Sequence, residues 1–311
     1  MENLKPSAEE LFEQAYTYPD TDMKERYSML IGLDEQKNKL KKILGLLVNP
    51  TGIEEWAKKH HPSAKKIIHT VLRRPPLIVL AGDVGAGKTE LALTIGDEVA
   101  RQEKINITLL PISLSARGNG RVGQMTQLIS TAFEYTIEKA KKIKGQSGAA
   151  RGAVILLVDE ADALAQSREN TQMHHEDKAG VNAFIRGIDN LGNGKLPAAV
   201  LMCTNRIGSL DPAIKRRSAE VLYFNRPSKD QRLNVLNGPL QELGFNLKDV
   251  EEIVEMTGES KEFEYGFTFS DLTQRLIPSI ILDAYPDKNV TPTRAKEIAK
   301  GIIPTSPFKE Y

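Results

Sequence analysis

The sequence predicts an α/β fold: a parallel sheet with flanking helices, built around a P-loop and followed by a small all-helical domain. Three observations carry this. Short apolar runs alternate with helical patterns from Ile31 to about Phe224. The segment GDVGAGKT, Gly82 to Thr89, stands between a strand pattern and a helix pattern. After Phe224 only helical patterns remain.

The apolar runs are Leu77–Leu80, Ile107–Pro111, Ala153–Val158, Ala198–Cys203 and Val221–Phe224. Each is too short for an independent helix and rich in branched residues, which marks a buried strand. Between them Leu91, Ile95 and Val99 recur at helical spacing, as do Met125, Leu128, Ile129, Ala132 and Phe133. Such alternation predicts parallel strands covered on both faces. Ser228 with Gln231 three residues on is a capping-box pattern, and Leu233, Leu236 and Leu240 follow on one face. Ser270 is placed to cap a helix through Leu276 and Ile281, and Thr291-Pro292 is a helix start. The expected division is a polar extension over 1–30, helical near Glu9 to Ala15, then a large α/β domain over 31–227 and a small helical domain over 228–311. The linker is Asn225-Arg226-Pro227.

Composition bounds the function. The 311 residues, 40% of them hydrophobic, allow one large core and a smaller one. Lys+Arg 42 against Asp+Glu 41 gives a net charge of +1, so no bulk attraction to nucleic acid or anionic membrane is expected. The single cysteine, Cys203, excludes an intrachain disulfide and sits in the apolar run AAVLMC, where a buried role is expected. The start MENLKPSAEELFEQ lacks a basic region followed by an apolar one. No apolar run approaches the ~20 residues that span a bilayer. A cytoplasmic protein is predicted. The adjacent pairs His60-His61 and His174-His175 do not share a helix face, so surface histidines are expected, not a metal site. Trp56 is read as a packing residue, and Lys65-Lys66 with Arg73-Arg74 as a solvated face.

GDVGAGKT matches G-x-x-x-x-G-K-[ST] at every fixed position, in the required strand–loop–helix context. Gly82, Gly85 and Gly87 let the backbone fold tightly, so that its amides and those of the helix start face phosphate oxygens. The stretch Gly82, Asp83, Val84, Gly85, Ala86, Gly87, Lys88, Thr89 and Glu90 is read as the ATP-binding segment. Lys88 is expected on the β- and γ-phosphates, and Thr89 on Mg2+. About seventy residues on, the apolar strand of AVILLVDEADAL ends in Asp159-Glu160. Asp159 is expected to hold Mg2+ and Glu160 to polarise the attacking water. The bland reading of these acids is a pair of helix caps, and Asp162 is assigned only that role. Asn205, ending AAVLMCTN, is expected near the P-loop strand with its amide able to orient the water. The bland reading there is a turn residue.

Past this point the sequence resembles the AAA+ ATPases. The elements GDVGAGKT, VILLVDE, AVLMCTN and DPAIKRRS have that family's order and spacing. So does the entry segment IGLDEQKNKL, and the resemblance runs from Ile31 to about Ala284. It implies that Arg216 and Arg217 reach the neighbouring copy's γ-phosphate and that the active form is a homo-oligomer, normally a hexamer. The sequence leaves the two arginines equivalent, and the bland reading is a basic helix end favourable with the dipole. It also implies that the small helical domain is the family's lid and that it carries a nucleotide-sensing arginine. The usual Ser-Gly-Arg reads Ser270-Asp271-Leu272 here, and Arg275, one turn on, is the substitute.

Within the family, AQSRENTQMHHEDKAGVNAFIRGIDNL and DPAIKRRSAEVLYFNRPS resemble the pachytene-checkpoint (thyroid-receptor-interactor) group. That resemblance implies remodelling of a HORMA-like protein, and in bacterial members a link to a nucleotidyltransferase in anti-phage signalling. Two features depart from the group. Only about thirty polar residues precede Ile31 where eukaryotic members carry a folded adaptor-binding domain. The first pore loop, within Ser115 to Met125, lacks the usual aromatic and presents Arg117, Gly118, Asn119, Gly120 and Arg121. A polar grip on substrate and an ordinary Gly-rich loop are both compatible with it. The second pore loop is expected within Ser167 to Lys178. Two alternatives stay open: a DNA-associated loader, against which the balanced charge and missing DNA-binding motif argue, and an assembly switch with little turnover.

Overall fold

The computed structural model describes residues 11–114, 124–144, 152–165, 175–193, 196–206 and 210–308. The chain forms two compact units. The first takes residues up to Tyr27, Glu35–Ala81 and Thr89–Tyr223; the second takes Ser28–Asp34, Gly82–Lys88 and the residues from Phe224 on.

The first unit is built on a six-stranded sheet: β1 (Tyr16–Tyr18), β2 (Leu77–Gly82), β3 (Asn106–Ser113), β4 (Gly152–Asp159), β5 (Ala198–Thr204) and β6 (Ser218–Phe224). The strand order is β1-β3-β4-β5-β2-β6. β3, β4, β5 and β2 run parallel. Both faces of these strands are covered, which is why their sequences read as unbroken apolar runs instead of alternating ones. On one face Val79, Leu110, Leu156 and Val200 join a cluster that includes Phe133 and Phe184. The alternate residues Ile78, Leu109, Ile155 and Leu201 are equally buried. Phe133 lies on α6 (Gln124–Ile143) and Phe184 on α8 (His175–Asn193), their rings edge-on at 5.7 Å. Burying each such ring contributes about 1.5–3 kcal/mol.

The other helices of this unit are α1 (Thr21–Ser28), α2 (Asp34–Val48), α3 (Pro50–His60), α4 (Lys65–Val71), α5 (Lys88–Glu103), α7 (Asp162–Ala165) and α9 (Pro212–Arg216). The predicted spacing of Leu91, Ile95 and Val99 appears as the buried stripe of α5. Asp211 caps α9, its carboxylate accepting from the Ala213 amide, with Pro212 in the first turn.

Two readings are corrected here. The polar N-terminal stretch supplies an edge strand: β1 pairs antiparallel with β3 through Tyr16–Leu109 and Tyr18–Ile107, and residues 12–15 are not helical. Leu11, Phe12, Tyr18 and Met23 are buried, and the Tyr18 hydroxyl donates to the Leu93 carbonyl. A few aromatic anchors suffice for this, so a segment short of aliphatics still packs. Trp56 is half exposed, lying against His60 and His61 instead of in the core.

The second unit is helical: α10 (Lys229–Glu242), α11 (Leu247–Met256), a π-helical turn (Asp271–Leu276) continuing into α12 (Ile277–Ala284), and α13 (Pro292–Gly301). Ser228 and Gln231 form the reciprocal capping box. Thr291 accepts from the Arg294 amide at the start of α13. Ser270 is not the cap predicted for its helix. The Thr268 hydroxyl accepts from the Asp271 amide at 3.0 Å, and Asp271 accepts from the Thr268 amide at 3.0 Å. The same box pattern therefore sits two residues earlier, with an Asp in place of the usual Glu or Gln.

Candidate functional site

The loop after β2 belongs to the second unit and is held there by backbone contacts. The Asp83 amide donates to the Phe224 carbonyl at 3.1 Å. A Cβ on Gly82 would lie 2.2 Å from that same carbonyl oxygen, so only glycine allows this approach. Gly85 has φ +70°, and a Cβ there would meet the Thr268 hydroxyl at 2.7 Å. The Ser270 amide donates to the Gly85 carbonyl at 3.1 Å. Ala86 is buried and Val84 exposed. The buried Lys88 ammonium donates to the carbonyls of Gly82 at 3.0 Å and Asp83 at 2.7 Å. The Asp83 carboxylate accepts from the Val84 amide at 2.8 Å and from Arg226 Nε at 2.6 Å. Sequence reasoning left Arg226 as a linker residue, because its partner lies 143 positions away.

In the first unit, α5 carries Thr89 and β4 ends at Asp159. The Thr89 hydroxyl donates to Asp159 Oδ1 at 3.2 Å, and the same oxygen accepts from the Glu160 amide at 2.8 Å. Glu160 has φ +52°, a left-handed conformation that a non-glycine residue adopts at a cost. Its Oε2 accepts from the Ser113 hydroxyl at 2.6 Å. Parallel pairing of β3 with β4 sets Ser113 opposite Asp159, so the strand order brings this serine to the acidic pair. A serine ending a strand carries no motif, and nothing in the sequence singled it out.

β5 lies between β4 and β2, which puts Asn205 beside the P-loop strand as expected. Asp162 starts α7, as read, and does more. It accepts from the Asn205 amide at 2.6 Å, from Asn205 Nδ2 at 2.9 Å and from the Thr204 hydroxyl at 2.7 Å. A carboxylate only accepts, so the Asn205 amide must turn its nitrogen toward Asp162. The Glu90 carboxylate, one residue past Thr89, is gripped by Arg26 through Nε at 2.8 Å and Nη2 at 2.7 Å. That fork neutralises an acid placed next to the phosphate loop.

Taken by themselves, the first unit's oxygens suit a metal and the second unit's loop suits phosphate. The Thr89 hydroxyl and Asp159 carboxylate are hard oxygen donors a few ångström apart, the set magnesium takes together with substrate oxygens and water. Among the described residues there is no cluster of three or more His, Cys, Asp or Glu that could hold a metal ion. Gly82 and Gly85 keep open a loop that a Cβ would fill.

Arg216 and Arg217 end α9 and differ. Arg217 forms an ion pair with Asp189, Nε to Oδ1 at 2.8 Å and Nη2 to Oδ2 at 3.1 Å. Arg216 is exposed and has no partner among the described residues. In the second unit Arg275 Nη1 donates to Asp271 at 2.7 Å and to the Ile303 carbonyl at 3.0 Å. The pore-loop residues Arg117, Gly118, Asn119, Gly120 and Arg121 lie outside the described residues, as does most of the second pore-loop segment. Cys203 is buried, as predicted. No helix of the described residues is long and apolar enough to cross a membrane.

Comparison with known proteins follows the same lines. Residues 78–226 match the ATPase family associated with various cellular activities (AAA). CD-NTase-associated protein 6 of Escherichia coli (strain MS 115-1) is 63% identical over 306 residues, 98% of each chain. A chain of the solved E. coli MS115-1 HORMA:CdnC:Trip13 complex superposes with a TM-score of 0.89 at 62% identity, covering 98% of this chain and 100% of that one. The solved Rhizobiales Trip13 gives a TM-score of 0.74 at 56% identity, covering 95% of this chain and 100% of that one.

Proposed function

The chain belongs to the AAA ATPase family, in the group of CD-NTase-associated protein 6, and from that premise we propose that it hydrolyses ATP to reshape a HORMA-like protein. The observation that carries the reading is the Thr89–Asp159 hydrogen bond: the P-loop hydroxyl and the strand-end carboxylate that share magnesium in P-loop enzymes stand together.

The loop amides of Gly82–Lys88 and the Lys88 ammonium bind the phosphates. Thr89 and Asp159 hold Mg2+, which when bound neutralises charge developing on the phosphate oxygens. Glu160 accepts the proton of the attacking water, and Asn205, oriented by Asp162, fixes that water. A neighbouring copy supplies an arginine to the γ-phosphate. Arg216 is the better placed, being exposed and without a partner among the described residues while Arg217 is tied to Asp189. In the lid, Arg275 commits Nη1 to Asp271 and Ile303, leaving its other nitrogens to nucleotide.

The division into 1–30, 31–227 and 228–311 serves as extension, catalytic domain and lid. A hexameric ring is proposed, its pore loop gripping substrate through Arg117–Arg121. Native folds are stable by only ~5–15 kcal/mol, so tension on one terminal segment can open a partner. The HORMA and nucleotidyltransferase partners named with the relatives support a HORMA-like substrate linked to nucleotidyltransferase signalling.

The test is a trap. Glu160→Gln protein with ATP should retain nucleotide, lose turnover and capture a HORMA-domain protein from native lysate. Unchanged turnover would refute Glu160 as the base, and capture of replication proteins or DNA instead would refute the partner.

A further inference from the structure

The Asp83 carboxylate, inside the phosphate loop, ends a chain of contacts that begins in the C-terminal segment. Its Oδ2 accepts from Arg226 Nε at 2.6 Å, and its Oδ1 accepts from the Phe308 amide at 3.3 Å. The ion pair is largely buried, with side-chain exposures of 15% for Arg226 and 12% for Asp83. Arg226 also donates from Nη1 to the Gly266 carbonyl and from Nη2 to the Thr305 carbonyl, each at 2.6 Å, with its guanidinium 4.8 Å from the Tyr265 ring centre. One planar fork thus ties the loop to two other stretches of chain, a geometry a lysine cannot reproduce.

Thr305 is itself fixed. Its amide and hydroxyl donate to the fully buried Asp271 at 3.0 and 2.7 Å. Asp271 also accepts from Thr268, and Thr268 stands against Gly85 on the loop. The loop is therefore bracketed twice, at Asp83 by Arg226 and at Gly85 by Thr268 and Ser270. Both brackets lead to Thr305. Pro304 and Pro307 stiffen this strap by fixing φ.

We propose that Arg226 is a positioning residue for the phosphate loop, and that through it the C-terminal segment Ile303–Phe308 sets nucleotide affinity. This rests on the nucleotide-site reading above. The effect falls on binding and not on turnover, because Glu160 and Asn205 are held by their own contacts with Ser113 and Asp162.

The experiment uses the full chain, with a fluorescent ADP analogue for affinity and steady-state ATP hydrolysis to separate KM from kcat. Arg226→Gln should weaken ADP binding about tenfold or more and raise KM likewise, with kcat held, as expected for a lost hydrogen bond to a charged group. Arg226→Lys should recover part of the loss. Adding Asp83→Asn to Arg226→Gln should cost less than the two single losses combined. Phe308→Pro removes one amide donor and should weaken binding by a smaller factor. It carries the test if Arg226→Gln does not fold. Wild-type affinity in a folded Arg226→Gln and in Phe308→Pro, or a fall in kcat at constant KM, overturns the inference. Lys88→Ala is the control. Wild-type binding by that variant would defeat the nucleotide-site reading itself, whereas binding lost there but kept in Arg226→Gln would defeat only the inference.

Discussion

The Ser113 hydroxyl donates a 2.6 Å hydrogen bond to Oε2 of Glu160, the proposed base. A bond to a carboxylate contributes about 1.5–3 kcal/mol, and it engages an oxygen the base would use on water. Ser113→Ala should therefore raise basal ATP turnover, by about tenfold if the bond must break in each cycle. Steady-state hydrolysis without partner protein checks this. A fall in rate would make Ser113 a support for the base instead of a restraint.

Asp162 fixes which way the Asn205 amide faces. Asp162→Ala should lower kcat about tenfold through misorientation, with ATP affinity little changed. Single-turnover hydrolysis beside nucleotide binding separates the two. An unchanged kcat would remove Asn205 from the water-orienting role.

The two arginines of α9 should not be equivalent. Arg216→Ala should lose about 10³-fold or more in turnover, as for an arginine supplied in trans. Arg217→Ala should lose less, since its exposed pair with Asp189 contributes at most ~1 kcal/mol. Mixing Lys88→Ala with Arg216→Ala subunits should restore activity. No recovery at any ratio would count against catalysis between subunits.

Asp271 gives a pH signature. Burial pushes its carboxyl upward, but hydrogen bonds from the Thr268 amide, the Thr305 hydroxyl and amide, and Arg275 outweigh that and hold it below the usual carboxylate range. A depressed folded value stabilises the fold above the unfolded value of about 3.9 and loses that contribution as pH falls through the folded value. Asp271→Asn should lower the melting temperature at pH 7. The gap to wild type should close as pH drops below about 4. A gap independent of pH would mean that the charge of Asp271 contributes nothing.

The four parallel strands and the helical C-terminal part were legible because burial on both faces writes itself as unbroken Val, Ile and Leu runs, and caps as Ser or Thr before a helix; the strand at Val221–Phe224 is only half buried, with Tyr223 exposed. β1 was not legible, since three residues with one buried tyrosine carry no periodicity. Ser270 misled because the box formed two residues earlier, at Thr268 and Asp271.

The sequence by itself determined the family and carried the motifs of the proposed phosphate loop and acidic strand end, because P-loop chemistry demands fixed residue types at fixed local spacing. Only the tertiary structure decided what holds those residues. Ser113 reaches Glu160 across 47 positions by strand order, and Arg226 reaches Asp83 across 143 by folding of the second unit. It also told Arg216 from Arg217, neighbours in sequence, by giving one an ion pair and leaving the other exposed. Local motifs state which chemistry is present. Contacts between segments distant in sequence leave no pattern in either segment, so the groups that orient and restrain that chemistry emerge only in the fold.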